Sequence, residues 1–464
     1  MIRFDEQFIR SIISKVSIFG TIPTDPEFSV DSRSLSIDTL FVALKGERHD
    51  GHAFVLDALK NGAAGALIAA DKLDECQQLL KKHQFEKKLL VVVPDPFDAL
   101  IALATAWREC FTIPIIGVTG SVGKTSCKES IAHLLKTAGK EFIASRGNQN
   151  TLIGVALNML RLRSHHQVGV FEMGINRRGE MALLAKVVKP TIGIITSIGH
   201  SHMEGLGSLQ DIAVEKRDIF KYFTEENIGI VNGDQPLSAM VSYPHPIIKF
   251  GSKTTNQIQV RKVRAEDSHI RCILKVYKTK YNIILENPHA GAITSALVTA
   301  AVSHILEIPH ESLCQAIQEP VIVPGRFERR LLKSGKGAII SDCYNANPES
   351  VKASLAAFQT IETGAYKTVV LGDMLELGVN SPFWHRQIGR FFRKAPSLKR
   401  VILVGNLVQW VEKTLPIGVK VERAQTWQQA LGLLEKDIPT KDHLILVKGS
   451  NGVGLLNLVD QCAK

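Results

Sequence analysis

The run Ile113-Pro-Ile-Ile-Gly-Val-Thr-Gly-Ser-Val-Gly-Lys-Thr-Ser126 constrains this chain more than any other stretch. Ile113 to Val118 is short, apolar and β-branched, which predicts a buried strand. Thr119 to Gly123 is a glycine-containing turn. After Lys124, apolar residues recur at Ile131, Leu134, Leu135 and Ala138, spaced i, i+3, i+4, i+7, and Gly139 follows. That spacing predicts an amphipathic helix closed by glycine. Strand, glycine turn, Gly-Lys-Thr and helix, in that order, are the layout of a phosphate-binding loop. Backbone N–H groups from Gly120, Ser121 and Gly123 through Ser126 would face the phosphates, Lys124 would neutralise their charge, and the Thr125 hydroxyl suits Mg²⁺. The strict G-x-x-x-x-G-K-[ST] pattern asks for glycine at 118, where this chain has Val118; the nearest glycine is Gly117. The expected ligand is a nucleoside triphosphate.

A chain of 464 residues predicts about three domains, each able to bury its own core. Hydrophobic content of 45% with 22% charge describes a soluble globular protein. No run approaches the roughly 18 apolar residues of a membrane span, so an integral membrane protein is not expected. Met1-Ile-Arg-Phe-Asp-Glu6 lacks the layout of a secretory signal. Seven cysteines without a C-x-x-C indicate neither a disulfide framework nor a zinc site, and a reducing cytoplasm fits them. The net charge of +11 raises nucleic acid as a partner. The basic pairs Lys81-Lys82, Lys87-Lys88 and Arg329-Arg330 are scattered, however, with no aromatic-basic interleaving. The reading is a solvated surface that helps steer small polyanionic substrates, with no nucleic-acid partner.

Along the chain, strands and helices alternate from about 111 to 320, which predicts a parallel sheet covered on both faces. Expected strands there are Phe142–Ser145, Val168–Glu172, Thr191–Thr196 and Ile228–Asn232. Expected helices are Ile153–Leu160, Arg178–Val187 and Leu209–Phe223. Residues 256–286 read as hairpins. Upstream, Thr39–Gly46 reads as a strand ending in a glycine turn, followed by the polar group Glu47-Arg-His-Asp-Gly-His52. Beyond Pro320 and Pro324-Gly325, strands at Ala338–Ser341, Thr368–Leu371, Val401–Val404 and Leu444–Val447 alternate with helices. This third unit reads as Rossmann-like, but no G-x-G-x-x-G follows any of its strands. In such sheets functional groups gather at the carboxyl ends of strands. Glu172, His200 and His202, the segment Asp342–Pro348, the segment Gly372–Gly378 and Lys448-Gly-Ser450 all fall there. A carboxylate such as Glu172 suits a hard cation. The two histidines lack the further ligands that zinc needs.

Together these motifs resemble the Mur ligases, the ATP-dependent amide ligases that build the peptidoglycan peptide, over nearly the whole chain. The resemblance is carried by Thr119-Gly-Ser-Val-Gly-Lys-Thr125, by Asp31-Ser-Arg33 with Leu40-Phe-Val-Ala-Leu-Lys-Gly-Glu-Arg48, and by Gly147-Asn-Gln-Asn150. Its most specific parts are Asp342-Cys-Tyr-Asn-Ala-Asn-Pro348 and Leu371-Gly-Asp-Met-Leu-Glu-Leu-Gly378. It implies three domains: 1–110 for a UDP-sugar, 111–320 for ATP, and 321–464 for the acceptor. Within the family it implies the addition of D-alanyl-D-alanine to UDP-N-acetylmuramoyl-tripeptide through an acyl phosphate, with ATP and two Mg²⁺ ions. By the same resemblance Lys124 and Thr125 bind phosphates and metal, Glu172 and His202 assist the metals, and Lys216 is the lysine that becomes a carbamate. Arg326 and Asp342 would reach ATP, and Asn345 and Asn347 the acceptor. Ser32, Arg33, Lys45, Asp50 and His52, with Asn148, would hold the UDP-sugar substrate.

The chain departs from the family pattern in places. Asn287-Pro-His-Ala-Gly-Ala-Ile-Thr-Ser-Ala-Leu297 has Gly291-Ala292 where a His-Asn pair aligns, and Ser295 for a further Asn. Asn451 and Leu456 stand where Arg and Glu are common. The alternatives are another Mur-type or folylpolyglutamate-type amide ligase, and a phosphate-loop ATPase of another class.

Overall fold

The structure is a computed structural model that describes residues 3–33, 35–335, 337–362, 365–436 and 443–464. Its strands form three sheets. The first contains β1 (Ser17–Phe19), β2 (Glu27–Ser29), β3 (Thr39–Val42), β4 (Gly65–Ala69) and β5 (Leu89–Val93), in the order β1-β5-β4-β3-β2. Only β1 runs antiparallel to its neighbour. The second contains β6 (Ile115–Thr119), β7 (Phe142–Ala144), β8 (Val168–Glu172), β9 (Ile192–Ile195), β10 (Ile228–Asn232), β11 (Ile247–Gly251), β12 (Ile258–Glu266), β13 (His269–Val276) and β14 (Thr279–Leu285). Its order is β14-β13-β12-β11-β10-β9-β6-β8-β7. Pairing is parallel from β9 to β12 and between β7 and β8, and β12 to β14 form antiparallel hairpins.

The third sheet contains β15 (Glu328–Leu331), β16 (Ala338–Asp342), β17 (Tyr366–Gly372), β18 (Arg400–Val404), β19 (Lys420–Ala424) and β20 (His443–Lys448), in the order β15-β16-β20-β17-β18-β19. It is parallel apart from β15. The architecture is the α/β, mostly parallel one expected. Its inner strands are continuous apolar runs, as in Leu89-Leu-Val-Val-Val93, because helices cover both faces. Strand alternation splits the third core: Val369 and Leu371 of β17 pack on one face and Val370 on the other.

Some boundaries moved for local reasons. The expected strand to Gly46 stops at Val42, because the Leu44 N–H turns back to the Val42 carbonyl. The helix expected to reach Phe223 ends at Arg217 and tightens into a 3₁₀ turn, Asp218–Phe220, that buries Ile219 and Phe220. β19 is Lys-Val-Glu-Arg-Ala, a polar edge strand with no apolar run to announce it.

The sheets occupy residues 17–93, 115–285 and 328–448. Residue contacts instead divide the chain into two compact units. One is Met1–Gly117 with Glu141–Gly174 and Glu180–Thr191; the other is Val118–Lys140 with Ile175–Gly179 and Ile192–Lys464. The first unit is built around Trp107 on the helix Pro96–Glu109. Its ring meets Phe4, Phe8 and Phe111 edge-on at 5.3 to 5.4 Å, and its Nε1–H donates to the Leu162 carbonyl at 3.1 Å. The adjacent Arg108 is buried, and its guanidinium donates to the carbonyls of Phe111, Val188 and Lys189. Burial lowers its pKa to about 10.

Trp107→Ala should therefore lower stability by about 3–5 kcal/mol, since it removes the aromatic centre and leaves a cavity. The check is the urea midpoint of the first transition. A shift worth under about 1 kcal/mol would mean that the cluster is not central to the core.

Candidate functional site

The phosphate loop forms where β6 delivers Thr119 into Gly120. Gly120 has φ +148°, and a Cβ on it would lie 1.9 Å from Thr196 Oγ1, so no side chain fits. Gly123, with φ +89°, caps the helix Lys124–Thr137 without a side-chain acceptor. The start of this helix is thus shaped to offer N–H groups and positive dipole to an anion. The loop is held from below by the segment after β9. Ser121 N–H donates to Ser197 O at 2.9 Å, Val122 N–H to Ser197 Oγ at 3.1 Å, and Thr196 Oγ1–H to Val122 O at 2.6 Å. The Ser121 hydroxyl exchanges hydrogen bonds with Gly199, donating to its carbonyl and accepting from its N–H, both at 2.9 Å. Ser121 thus ties the loop to Ser197 and Gly199, and its N–H, expected to face the phosphates, is turned instead to the Ser197 carbonyl. Lys124 folds back to donate to Gly120 O at 2.9 Å, and Ser126 is half-buried on the first turn.

Thr125 is buried, and its Oγ1 accepts from Arg326 Nη2 at 2.8 Å. The Arg326 guanidinium lies over the Tyr344 ring, 4.2 Å from its centroid. Lys216, at the end of the helix Leu209–Arg217, is 1% exposed. Burial, reinforced by the charge of Lys124, pushes its pKa well below that of an ordinary lysine. Its neighbour Glu215 accepts from the Gly179 N–H at 2.9 Å.

His200 and His202 follow β9. His200 Nδ1 lies 2.5 Å from Glu349 Oε1, and its ring packs on Trp384 at 4.1 Å. His202, in the left-handed region at φ +56°, pairs through Nδ1 with Glu376 at 2.6 Å, and the Glu204 N–H donates to the Glu376 carbonyl. The hydrogen bond from His202 holds Glu376 below the usual carboxylate range.

In the third sheet Asp342 ends β16. Lys448 Nζ lies 3.1 Å from its carboxylate and also donates to the carbonyls of Asp342 at 3.0 Å and Asn345 at 2.7 Å. Asp342 Oδ1 accepts from the Phe327 N–H, and Oδ2 from the Ser354 hydroxyl. Asn345 accepts from the Ala346 N–H through its side chain. Asn347 is the N-cap of the helix Pro348–Thr360, in a reciprocal capping box with Ser350. Asp342, Asn345 and Asn347 thus serve first to shape the strand end.

In the first unit, Glu172 ends β8, is 1% exposed, and accepts from Asn150 Nδ2 at 2.7 Å. Its N–H donates to Ser145 Oγ. Asn148 is exposed, so within Gly147–Asn150 it is Asn150 that touches the carboxylate. A cleft of about 760 Å³ is lined by Val30, Asp31, Ser32, Arg33, His49, Phe54, Asp57, Lys60 and Asn61. Arg33 clasps Asp31 with two side-chain hydrogen bonds and lowers that carboxyl to about 2. Lys45, Asp50 and His52 do not line it. Lys45 bridges Asp50 through backbone. The buried His52 accepts from Ala69 N–H at Nε2 and donates from Nδ1 to Asp50, so both ring nitrogens are engaged inside the fold.

Among the described residues no group of three or more His, Cys, Asp or Glu side chains is arranged to hold a metal ion.

Two family models match this chain: the Mur ligase middle domain over residues 118–298, and the Mur ligase glutamate ligase domain over 325–451. A UDP-N-acetylmuramoyl-tripeptide–D-alanyl-D-alanine ligase of Bacillus subtilis (strain 168) is 31% identical over 434 residues, 93% of this chain and 92% of the relative. The chain belongs to the Mur ligase family. Ligases of the same description from Synechocystis and Escherichia coli K12 are 32% and 30% identical, each over 93% of this chain and at least 90% of their own length. In fold it is similar to a MurF from Acinetobacter baumannii, at TM-score 0.84 and 24% identity over 99% of both chains. It is also similar to a MurF of Thermotoga maritima in complex with ADP, at TM-score 0.77 and 24% identity over 94% of this chain and 97% of that one.

Two residues before Gly291-Ala292, His289 caps the helix Ala290–Ile305 by accepting from the Gly291 N–H. Its ring packs on Phe327, 4.9 Å between centroids. Ser295 lies beside Cys127 at 3.8 Å. Glu349, Trp384, Tyr344 and Asn150 gave no separate signal in sequence, although the last two lie inside motifs that did.

The Lys448–Asp342 pair is buried, so breaking it from one side leaves an uncompensated charge. Lys448→Met should cost about 3–5 kcal/mol, and Lys448→Met with Asp342→Leu should recover most of it. Urea unfolding of both variants checks this. Equal losses in the two would mean that the pair's charge is not what matters.

Proposed function

We propose that this chain is an ATP-dependent amide ligase that adds D-alanyl-D-alanine to UDP-N-acetylmuramoyl-tripeptide in peptidoglycan precursor synthesis. The observation that carries the reading is the 31% identity, over more than nine-tenths of both chains, to a relative of that description. The loop, with no room for a side chain at Gly120 and left-handed backbone at Gly123, supports ATP as the second substrate.

A carboxylate is a poor electrophile. Transfer of the γ-phosphoryl group to it gives an acyl phosphate, which the amine of the acceptor attacks as phosphate leaves. The chain's part is positioning and charge compensation: N–H groups of the loop hold the phosphates, Lys124 meets their charge, and Arg326 approaches beside Thr125. Closure by the segment carrying Arg326 would keep water from the activated carboxyl. Mg²⁺, two ions in this reading, supplies further charge neutralisation. It fits because it takes much of its coordination from phosphates and water and asks the protein for few hard donors. Those we assign are Thr125, Glu172, His202 and Lys216 as its carbamate.

A carbamate forms when the neutral amine adds to carbon dioxide with loss of one proton. The burial of Lys216, which disfavours its ammonium, supports that form. We assign 1–110, 111–320 and 321–464 to the UDP-sugar substrate, ATP and the acceptor. Ser32 and Arg33 would contact the sugar nucleotide in their cleft, with the Lys45–His52 loop as support and Asn148 at the surface. The setting is cytoplasmic, where ATP and a nucleotide sugar are both available.

The deciding assay is phosphate release with UDP-N-acetylmuramoyl-tripeptide, with and without D-alanyl-D-alanine, beside other amino-acid and folate acceptors. Release that requires a different acceptor would overturn the assignment. Lys124→Ala should lower turnover by at least about a hundredfold, by losing charge compensation at the transferred phosphoryl, while nucleotide-sugar binding persists. Near-normal turnover would remove the loop from the mechanism. Lys216→Ala should be nearly inactive and partly restored by short carboxylic acids that fill the vacated volume. An active alanine variant indifferent to such acids would exclude the carbamate.

A further inference from the structure

The chain's positive charge is not evenly spread. Residues 381–420 hold eight basic residues against the single acid Glu412, and only Arg400 of the eight is buried, against Glu422. The centre of this stretch is the helix Ser381–Phe391, whose inner face buries His385, Ile388 and Gly389. Phe383, Arg386 and Arg390 are spaced i, i+3, i+7, which places them within about 60° of one another on the outer face. Arg393 and Lys394 continue the stripe beyond the helix end, and both are exposed. Beside it, Trp410 carries the Arg386 guanidinium 5.0 Å from its ring centroid and the Lys413 ammonium at 4.0 Å.

Two further features separate this stripe from an ordinary solvated face. Most other surface arginines of the chain have a carboxylate partner, as Arg33 has Asp31, Arg146 has Glu27, Arg271 has Glu266 and Arg423 has Glu412. Arg386, Arg390, Arg393, Lys394 and Lys413 have none within ion-pair distance among the described residues. Exposed apolar side chains also occur in the same stretch of sequence. Phe383 is 46% exposed, and Ile417, four residues beyond Lys413, is 107% exposed. Unpaired guanidinium groups suit phosphate bidentately, and projecting aromatic and aliphatic side chains gain from an apolar phase behind that phosphate. A nucleic acid would satisfy the charge and leave Ile417 in water.

We propose that this face docks on an anionic lipid bilayer, with Arg386, Arg390, Arg393, Lys394 and Lys413 on headgroup phosphates and Phe383 and Ile417 entering the interface. The binding is peripheral, since among the described residues no helix is long and apolar enough to cross a membrane. It does not depend on the ligase reading. The same helix holds Trp384 against His200, so the docked element also touches the candidate site.

The test is flotation of the full chain with vesicles of phosphatidylcholine alone, and with vesicles in which phosphatidylglycerol replaces a third of it. Binding should be at least about tenfold tighter to the anionic vesicles and should weaken steeply as salt is raised. Arg390→Glu with Arg393→Glu and Lys394→Glu should abolish it while phosphate release stays at the wild-type rate. Ile417→Ser should weaken binding to the same vesicles without changing the salt slope. The three positions are exposed, and Arg390→Gln with Arg393→Gln and Lys394→Gln, read in parallel, should give a partial loss if the reversal variant does not fold. Equal binding to neutral and anionic vesicles, unchanged binding of the glutamine variant, or displacement from vesicles by a DNA duplex at equal phosphate would overturn the proposal.

Discussion

The geometry of two glycines sets the terms for the rest of the structure. At Gly120 the backbone passes so close to Thr196 that even a methyl group is excluded, and at Gly123 the chain enters its helix with φ +89°. Both conditions are met only because β6 on one side and Ile131, Leu134 and Leu135 on the other are fully buried and fix the turn's two ends. A loop held this way from below, by Ser197 and Gly199, presents its N–H face with little left to reorganise when a phosphate arrives.

From Gly199 the same hydrogen bonds lead outward. Ser121 holds Gly199, and the next residue, His200, meets Glu349 and Trp384, while His202 meets Glu376. Burial separates these contacts from the ones that hold the third sheet together. Lys448 and Asp342 are 3% and 12% exposed, whereas Glu349 and Glu376 are 42% and 55% exposed. A pair half in water is worth roughly 0.2–1 kcal/mol, so the whole set of contacts around residues 200–204 amounts to a few kcal/mol at most. That is the size suited to the closure we propose, which would have to open again in each cycle. The buried pair is of the kind whose loss unfolds a domain.

The fold was legible because its inner strands are unbroken apolar runs and its helices carry a 3.6-residue period. β8 and β10 fall where the sequence puts them. β1 and β19 were not, because edge strands of three to five residues with mixed polarity have no pattern of their own, and neither was β11, an inner strand whose five residues are interrupted by Lys249. In the site, Lys124, Thr125 and Glu172 were marked by position at strand or helix ends, and Lys216 only by the resemblance to the Mur ligases. The residues that contact the site's side chains were not, because Asn150 reaches Glu172 across 22 positions, Tyr344 reaches Arg326 across 18 and Glu349 reaches His200 across 149, separations that no spacing rule connects. His52 shows the converse. Its place in a polar loop suggested a ligand group, and only the Ala69 N–H at its Nε2 reveals that it ties the turn Gly51–Phe54 to the end of β4.

The placement of cations follows from the same accounting of water. Lys216 and Lys448 are almost fully buried and are therefore committed: one is pushed toward its neutral amine, the other is surrounded by a carboxylate and two carbonyls. Arg108 and Arg400 are buried too, and every such guanidinium has backbone carbonyls or Glu422 around it. None of these charges is available to attract anything at a distance. What the protein shows to an approaching anion is the remainder, and within it Arg386, Arg390, Arg393, Lys394 and Lys413 gather on and beside one helix of the third sheet. Scattered surface charge would give a weak field that salt screens within about 8–10 Å. A stripe at helical spacing adds its contributions over one face, so its effect is felt by an extended anionic surface and hardly at all by a single small substrate.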